Sequence, residues 1–146
     1  MPSVDTHDNI AIVGIGCRFP GGINSPDTFW RLLRNGVDAI TDVPEERLAL
    51  WRSWPSFDPD RVPGVGGFIE DIDAFDAAFF GISPREARHM DPQQRLLLEI
   101  AWEAMEDAGL VPSERAGSNT GVFTGIFLDE YWDLQRYVDA SMGIDA

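Results

Sequence analysis

The sequence lacks lysine altogether, so its 11 basic residues are all arginine, and 25 acidic residues outnumber them for a net charge of −14. A surface of that sign repels phosphate backbones and anionic lipid headgroups, which argues against nucleic acids and membranes as partners. No apolar run approaches the roughly 20 residues that cross a bilayer. The first residues, MPSVDTHDN, also lack the basic and apolar regions of a signal peptide. We therefore expect a cytoplasmic protein.

Cysteine is nearly absent, because Cys17 is the only one in the chain. A single cysteine excludes an internal disulfide and a multi-cysteine zinc site. A nucleophilic cysteine needs a histidine or a positive environment, and the two histidines, His7 and His89, lie in the N-terminal lead and at a predicted helix break. We expect Cys17 to be a small buried side chain. The sequence predicts no catalytic, cofactor-binding or metal-binding residue.

The 146 residues suit one domain, and an apolar fraction of 44% is typical of a globular protein. After a polar lead at residues 1–8, the single domain is expected to occupy residues 9–146. Ile10–Ile15 and Gly121–Phe127 are apolar throughout, which predicts strands covered on both faces. A short strand is also predicted at residues 68–69. The order β-α-loop-α-β indicates an α/β layered fold.

The first predicted helix covers residues 25–36. Ser25 is a favourable N-cap, Pro26 fits the first helical position, and Gly36 is placed to end the helix. Residues 37–65 carry four prolines and are expected to be mostly irregular, an ordered excursion over the core. Its predicted anchors are three aromatic side chains: Trp51, Trp54 and Phe57.

Two consecutive helix starts follow. SPRE at 83–86 is a capping box with proline at its first helical position, and DPQQ at 91–94 repeats that arrangement with glutamine in the last place. They predict a short helix, a break near Met90, and a second helix over 92–108 that Gly109 ends. The second helix is apolar around most of its circumference, so it must be covered on more than one side. A last helix is predicted over residues 129–138.

Two weak functional signals have simpler interpretations. GIGCRF suggests a dinucleotide-binding turn, but that fingerprint needs a third glycine where Phe19 stands, and Pro20 follows where its helix would start. The acidic pairs, such as 45–46 and 71/73, are expected to be solvated loop charges. Three aromatic residues could stack on a ligand, but at helical spacing they more often pack on the core or on a partner chain: Tyr131, Trp132 and Tyr137.

Three longer phrases together resemble the start of a β-ketoacyl synthase domain, and most of all the ketosynthase of a modular type I polyketide synthase. They are IAIVGIGCRFPGGINSPDTFWRLLRNGVDAI, FFGISPREARHMDPQQRLLLEIAWEAMEDAGL and TGVFTGIF. The resemblance covers about residue 9 to the last residue, and the middle phrase is the most specific. It implies the N-terminal portion of a thiolase-like layered α/β fold, incomplete in this chain. In the family, two similar halves make up that fold, which forms an obligate dimer.

The resemblance implies an acyltransferase that performs decarboxylative Claisen condensation. In the family, a cysteine takes an acyl group from the phosphopantetheine arm of a carrier protein, and two histidines and a lysine serve the malonyl-type extender. The family's nucleophile lies in a TACSS-type turn that this chain does not contain, and Cys17 matches the GxGCRFP cysteine instead. We therefore expect a chain truncated before the nucleophile, inactive alone, whose partners are the remainder of the ketosynthase, a carrier protein and a second copy.

One segment is implied to contribute to a site. In the family, the turn after the TGVF strand reaches the acyl pocket of the dimer partner, and by position this turn is Thr124, Gly125, Ile126 and Phe127. The alternative is that Ile126 and Phe127 fill the core. An alternative function for the whole chain is a stand-alone, non-catalytic interaction or dimerisation protein built on half of a ketosynthase fold.

Overall fold

The computed structural model describes residues 10–53 and 58–127, together with Tyr131, Gln135 and Arg136, which are helical. It has the mixed helix and strand character expected of an α/β fold. Two 3₁₀ turns cover Pro59–Arg61 and Pro112–Arg115. The remaining elements in chain order are α1 Pro26–Asn35, β1 Thr41–Asp42, α2 Glu45–Arg52, β2 Val65–Gly66, α3 Pro84–His89 and α4 Pro92–Asp107.

Helix α1 forms as its terminal residues predict. The Ser25 hydroxyl accepts a hydrogen bond from the Thr28 backbone N–H at 3.3 Å, and the Thr28 hydroxyl accepts one from the Ser25 N–H at 3.1 Å. This reciprocal box satisfies two amides that have no partner within the helix. Gly36 ends the helix in the left-handed conformation, with φ of 61°, which glycine adopts without steric cost. The predicted cap and stop are both confirmed.

Helix α3 carries the predicted capping box and ends at the predicted break. The Ser83 hydroxyl accepts from the Glu86 N–H at 3.2 Å, and the Glu86 carboxylate accepts from the Ser83 N–H at 3.1 Å. Hydrogen bonds from the Ser83 hydroxyl and N–H lower the pKa of Glu86. The stabilisation is therefore complete above the ordinary carboxyl pKa and is lost as the pH falls through the lowered value. Met90 follows as the extended C-cap.

Helix α4 begins at the second predicted start. The Asp91 carboxylate accepts from the Gln93 N–H at 2.8 Å, so the cap bond reaches the second helical residue, and the described contacts do not include the glutamine half of a capping box. At the other end, Gly109 has a φ of 65°, and the Leu110 N–H donates to the Met105 carbonyl at 2.8 Å. That 6→1 bond is the Schellman ending. The predicted helix over 92–108 is confirmed to within one residue.

The segment before α1 contacts α4 backbone to backbone. A Cβ on Gly14 would lie 2.1 Å from the Ala104 carbonyl oxygen, and one on Gly16 would lie 2.3 Å from the Ile100 carbonyl oxygen. Neither distance leaves room for a side chain. The Ile15 N–H donates to the Asp107 carboxylate at 3.0 Å. The two glycines are therefore required for the close approach of this segment to α4.

The two strongest predicted strands are not formed as strands in the described part of the chain. Ile10–Ile15 and Gly121–Phe127 have no ladder partner there, and their side chains are not covered on both faces. Ile10 is 97% exposed and Phe123 is 97% exposed. A strand is defined by hydrogen bonds to a neighbouring strand, which an apolar pattern cannot supply by itself. The pattern identified segments that suit burial, but no described strand lies beside them.

The region from 37 to 65 is more ordered than predicted. Helix α2 forms there, with two glutamates in its first turn and Arg52 in its last turn, which suits the helix dipole. The two-stranded antiparallel sheet pairs Thr41 with Gly66 and Asp42 with Val65. The short strand predicted at residues 68–69 is therefore wrong, because the strand lies at Val65–Gly66. Among the predicted anchors, Trp51 is half-buried, whereas Trp54 and Phe57 lie outside the described residues.

Few side chains in the described part of the chain are fully buried. The buried hydrophobic residues are Cys17, Ile23 and Val43, and no residue of α4 is among them. The face of α4 that carries Trp102 contacts an aromatic cluster, whose other members are Phe75, Phe79 and Phe80. Phe79 meets the Trp102 ring edge-on, with centroids 4.7 Å apart, a favourable geometry. No helix in the described portion is long and apolar enough to cross a membrane.

The glycine contacts generate a stability prediction. Gly14→Ala and Gly16→Ala should each lower the free energy of unfolding by about 1–3 kcal/mol or more, because the added methyl forces the segment away from α4. The control is Gly64→Ala, where a Cβ meets no atom within 4 Å, and it should change stability by less than about 1 kcal/mol. Urea unfolding followed by tryptophan fluorescence measures all three. Equal effects at Gly16 and Gly64 would contradict the close contact.

Candidate functional site

Cys17 is enclosed by the contact between the N-terminal segment and α4. It is 8% exposed, and its carbonyl accepts from Arg18 Nη1 at 3.1 Å. Arg18 reaches Glu103 on α4 with both terminal nitrogens, and the Nη1–Oε2 distance is 2.7 Å. These bonds raise the pKa of Arg18. The positive charge next to Cys17 is therefore committed to a carboxylate.

Neither histidine completes a nucleophile–base pair with Cys17 in the described part of the chain. His89 is exposed at the end of α3, where its Nδ1 lies 2.7 Å from the Arg85 carbonyl oxygen. His7 lies outside the described residues. No hydrogen bond links Cys17 to a general base among the contacts that the structure describes, so the arrangement that activates a thiol is not assembled here.

The GIGCRF segment does not form a dinucleotide-binding turn. Gly14 and Gly16 are occupied by the contact with α4, and the chain after Arg18 makes a turn closed by reciprocal bonds between Phe19 and Ile23, of 3.0 and 3.3 Å. Helix α1 starts only at Pro26. A pyrophosphate site needs a helix N-terminus directly after the glycines, and that geometry is not formed.

An open cleft of about 380 Å³ lies beside this turn. Carboxylates dominate its polar lining, where Glu70, Asp71, Asp76 and Glu99 accompany Arg18. The Asp76 carboxylate accepts from the Phe79 N–H at 2.9 Å, which is a local turn contact. Over the described residues, no three His, Cys, Asp or Glu side chains are placed to hold a metal ion. The cleft shows no catalytic constellation.

The segment Thr124–Phe127 lies at the surface of the described structure. Ile126 is 49% exposed and Phe127 is 83% exposed, and a Cβ on Gly125 would meet no atom within 4 Å. Val122 just before it is 84% exposed. The segment therefore presents apolar side chains that no described residue covers.

The sequence matches the family described as "Beta-ketoacyl synthase, N-terminal domain" over residues 7–144. The chain belongs to this ketosynthase family. Two polyketide-forming relatives are similar to it along most of its length. A phenolphthiocerol/phthiocerol polyketide synthase of Mycobacterium tuberculosis is 50% identical over 143 residues, which cover 92% of this chain and 8% of that protein. The 6-methylsalicylic acid synthase of Penicillium terrestre is 50% identical over 136 residues, covering 89% and 8%.

Solved ketosynthases share the fold. An oxazolomycin ketosynthase domain from Streptomyces albus superimposes with a TM-score of 0.75 at 37% identity, covering 95% of this chain and 25% of that one. The ketosynthase from module 6 of the Bacillus subtilis bacillaene synthase gives a TM-score of 0.55 at 39% identity, over 68% of this chain and 16% of its own. The present ketosynthase chain thus spans about 8% of the length of these two curated relatives.

Two contacts of this ketosynthase segment were not predicted from its sequence. The pair Arg18–Glu103 joins residues that are far apart in the chain, and nothing local announces it. The phrase DPQQR places Arg95 one turn into α4, where its guanidinium donates to the Met90 carbonyl and to Tyr131. An arginine among the leucines of an otherwise apolar helix was the available signal. Trp132 and Tyr137 lie outside the described residues.

The surroundings of Cys17 predict a slow thiol. A soluble alkylating reagent should modify Cys17 in the native ketosynthase chain at least about tenfold more slowly than in the denatured chain, because access requires local opening. The matched control moves the single cysteine to an exposed position by combining Cys17→Ala with Ser113→Cys. This control should react at the same rate in both states. Rapid native labelling of Cys17 would show that it is an accessible, activated thiol.

Proposed function

We propose that the chain is the N-terminal part of a polyketide synthase ketosynthase and contributes structure to its active site rather than the reacting groups. The observation that carries the proposal is the family match over residues 7–144, combined with the enclosed position of Cys17 away from any general base among the described residues. The helix that announces the family, α4, is used to pack the N-terminal segment.

The proposed reaction of the complete enzyme is decarboxylative Claisen condensation. A cysteine thiolate attacks the thioester of an acyl group on a carrier protein, which forms an acyl-enzyme and releases the carrier thiol. The malonyl-type extender then loses CO₂, and the resulting enolate carbon attacks the acyl-enzyme, so that the cysteine leaves and a β-ketoacyl thioester remains. Donors that stabilise the oxyanions lower both barriers.

The reacting residues of that chemistry are proposed to come from sequence outside these 146 residues. The chain has no lysine to support the site, and Cys17 is in the GxGCRFP position rather than in a nucleophile turn. The proposed partners are therefore the rest of the ketosynthase, an acyl carrier protein with its phosphopantetheine arm, and a second ketosynthase copy. The chain itself is proposed to bind no cofactor.

The segment Thr124–Phe127 is proposed to line the acyl channel or the dimer contact. Its support is the exposure of Ile126 and Phe127, since apolar side chains on a short surface segment favour contact with another apolar group. A growing acyl chain and a second ketosynthase copy both have that chemistry. The alternative of a stand-alone interaction protein is less favoured, because the chain is 50% identical to polyketide synthases over most of its length.

Reconstitution tests the proposed function. The chain alone should form no acyl-enzyme from acyl thioesters of a carrier protein. Combined with a polypeptide that carries the remaining ketosynthase, it should restore condensation, measured as β-ketoacyl product and CO₂ release. The matched control is the same mixture with Gly16→Ala, which should reconstitute poorly because α4 is displaced. Acyl transfer by the chain alone would contradict the proposal.

The same reconstituted enzyme tests the channel segment. Ile126→Trp should shorten the acyl chains that are accepted, because the larger ring fills the proposed channel. Leu50→Trp is the matched control, since Leu50 is 59% exposed on α2 and has no proposed role in acyl binding. An unchanged chain-length preference with Ile126→Trp would exclude the channel role while leaving the ketosynthase assignment intact.

A further inference from the structure

The break between α3 and α4 leaves backbone carbonyls without helical partners, as the last turn of any helix does. Arg95 satisfies one of them. Its Nε and Nη2 donate to the Met90 carbonyl at 3.1 and 2.8 Å, so two nitrogens of one planar guanidinium hold a single oxygen. That fork fixes the orientation of the side chain across the break.

The residues after the surface segment reach the same break. The Tyr131 hydroxyl accepts from Arg95 Nη2 at 3.2 Å and donates to the Arg88 carbonyl at 3.1 Å. Gln135 Nε2 donates to that same Arg88 carbonyl at 2.5 Å. The Arg95 guanidinium also lies 5.9 Å from the centre of the Tyr131 ring, within cation–π range. Two side chains from beyond the surface segment thus converge on the end of α3.

The chain connection makes this convergence relevant to the proposed site. Four peptide steps separate Phe127 from Tyr131, and each step spans at most about 3.6 Å, so their Cα atoms lie within about 14 Å of each other. Anything that fixes Tyr131 therefore limits where Thr124–Phe127 can lie. No described contact covers the side chains of Ile126 and Phe127 themselves, so the constraint comes from the end of the segment.

We propose that Arg95, Tyr131 and Gln135 form a clamp that positions Thr124–Phe127 against the α3–α4 break, and thereby sets the length of acyl chain that the ketosynthase accepts. The inference rests on the proposed channel role of that segment. Within the clamp, Tyr131 is a positioning residue that acts through the backbone, because its hydroxyl is occupied by Arg95 and the Arg88 carbonyl. Arginine is required at position 95, since lysine cannot hold one carbonyl with two nitrogens and also reach the phenol.

The mechanical part is tested on the 146-residue chain itself. Spin labels at Thr124→Cys and Arg85→Cys, in a Cys17→Ala background, report the distance between the segment and α3. Tyr131→Phe and Arg95→Lys should each broaden that distance distribution, because both remove the bridge. Ser25→Ala is the control, since it weakens the cap of α1 instead and should leave the distribution unchanged. An unchanged distribution with Tyr131→Phe would overturn the clamp.

The functional part is tested in the reconstituted enzyme. Tyr131→Phe should change the ratio of kcat/KM for long and short acyl thioesters by at least about threefold, whereas Ser25→Ala should change both values in the same proportion. If Ile126→Trp shifts the preference and Tyr131→Phe does not, the clamp does not set chain length and the channel role stands. If neither substitution shifts it, the channel role is wrong, and the positioning role fails with it.

Discussion

The close approach of the N-terminal segment to α4 is the contact on which the rest of the described structure depends. It is possible because Gly14 and Gly16 place bare backbone against the Ala104 and Ile100 carbonyls. The bidentate contact of Arg18 with Glu103 on α4 then fixes the register of the two elements. An ion pair that is partly exposed contributes little stability by itself, so the steric fit of the glycines carries most of this interface.

That contact explains why a sequence so typical of an enzyme family shows no chemistry of its own. It encloses the thiol of Cys17 and uses the adjacent arginine for an ion pair. It also leaves apolar side chains uncovered on the segments 10–15 and 121–127. Leaving about 400 Å² of apolar surface unburied would cost roughly 10 kcal/mol, which is comparable with the ~5–15 kcal/mol stability of a whole domain.

The sequence predicted what is decided locally. The caps of α1, α3 and α4 follow from the four or five residues at each helix end, and the family followed from three long phrases. Strand pairing was not predictable, because segments 10–15 and 121–127 suit burial but the partner is not specified by their pattern. Helix α2 was missed because the prolines around it outweighed its charged ends, Glu45 and Arg52. Tertiary contacts such as that of Arg95 with Tyr131 depend on the assembled fold.

The described packing is internally consistent but leaves apolar faces that only another polypeptide covers. Sedimentation of the isolated chain, together with binding of an apolar dye and thermal unfolding, measures this directly. We expect a self-associated or dye-binding species with a broad transition, which becomes monodisperse when the complementary part of the ketosynthase is co-expressed. A monodisperse monomer with one sharp, cooperative transition and no dye binding would contradict this expectation.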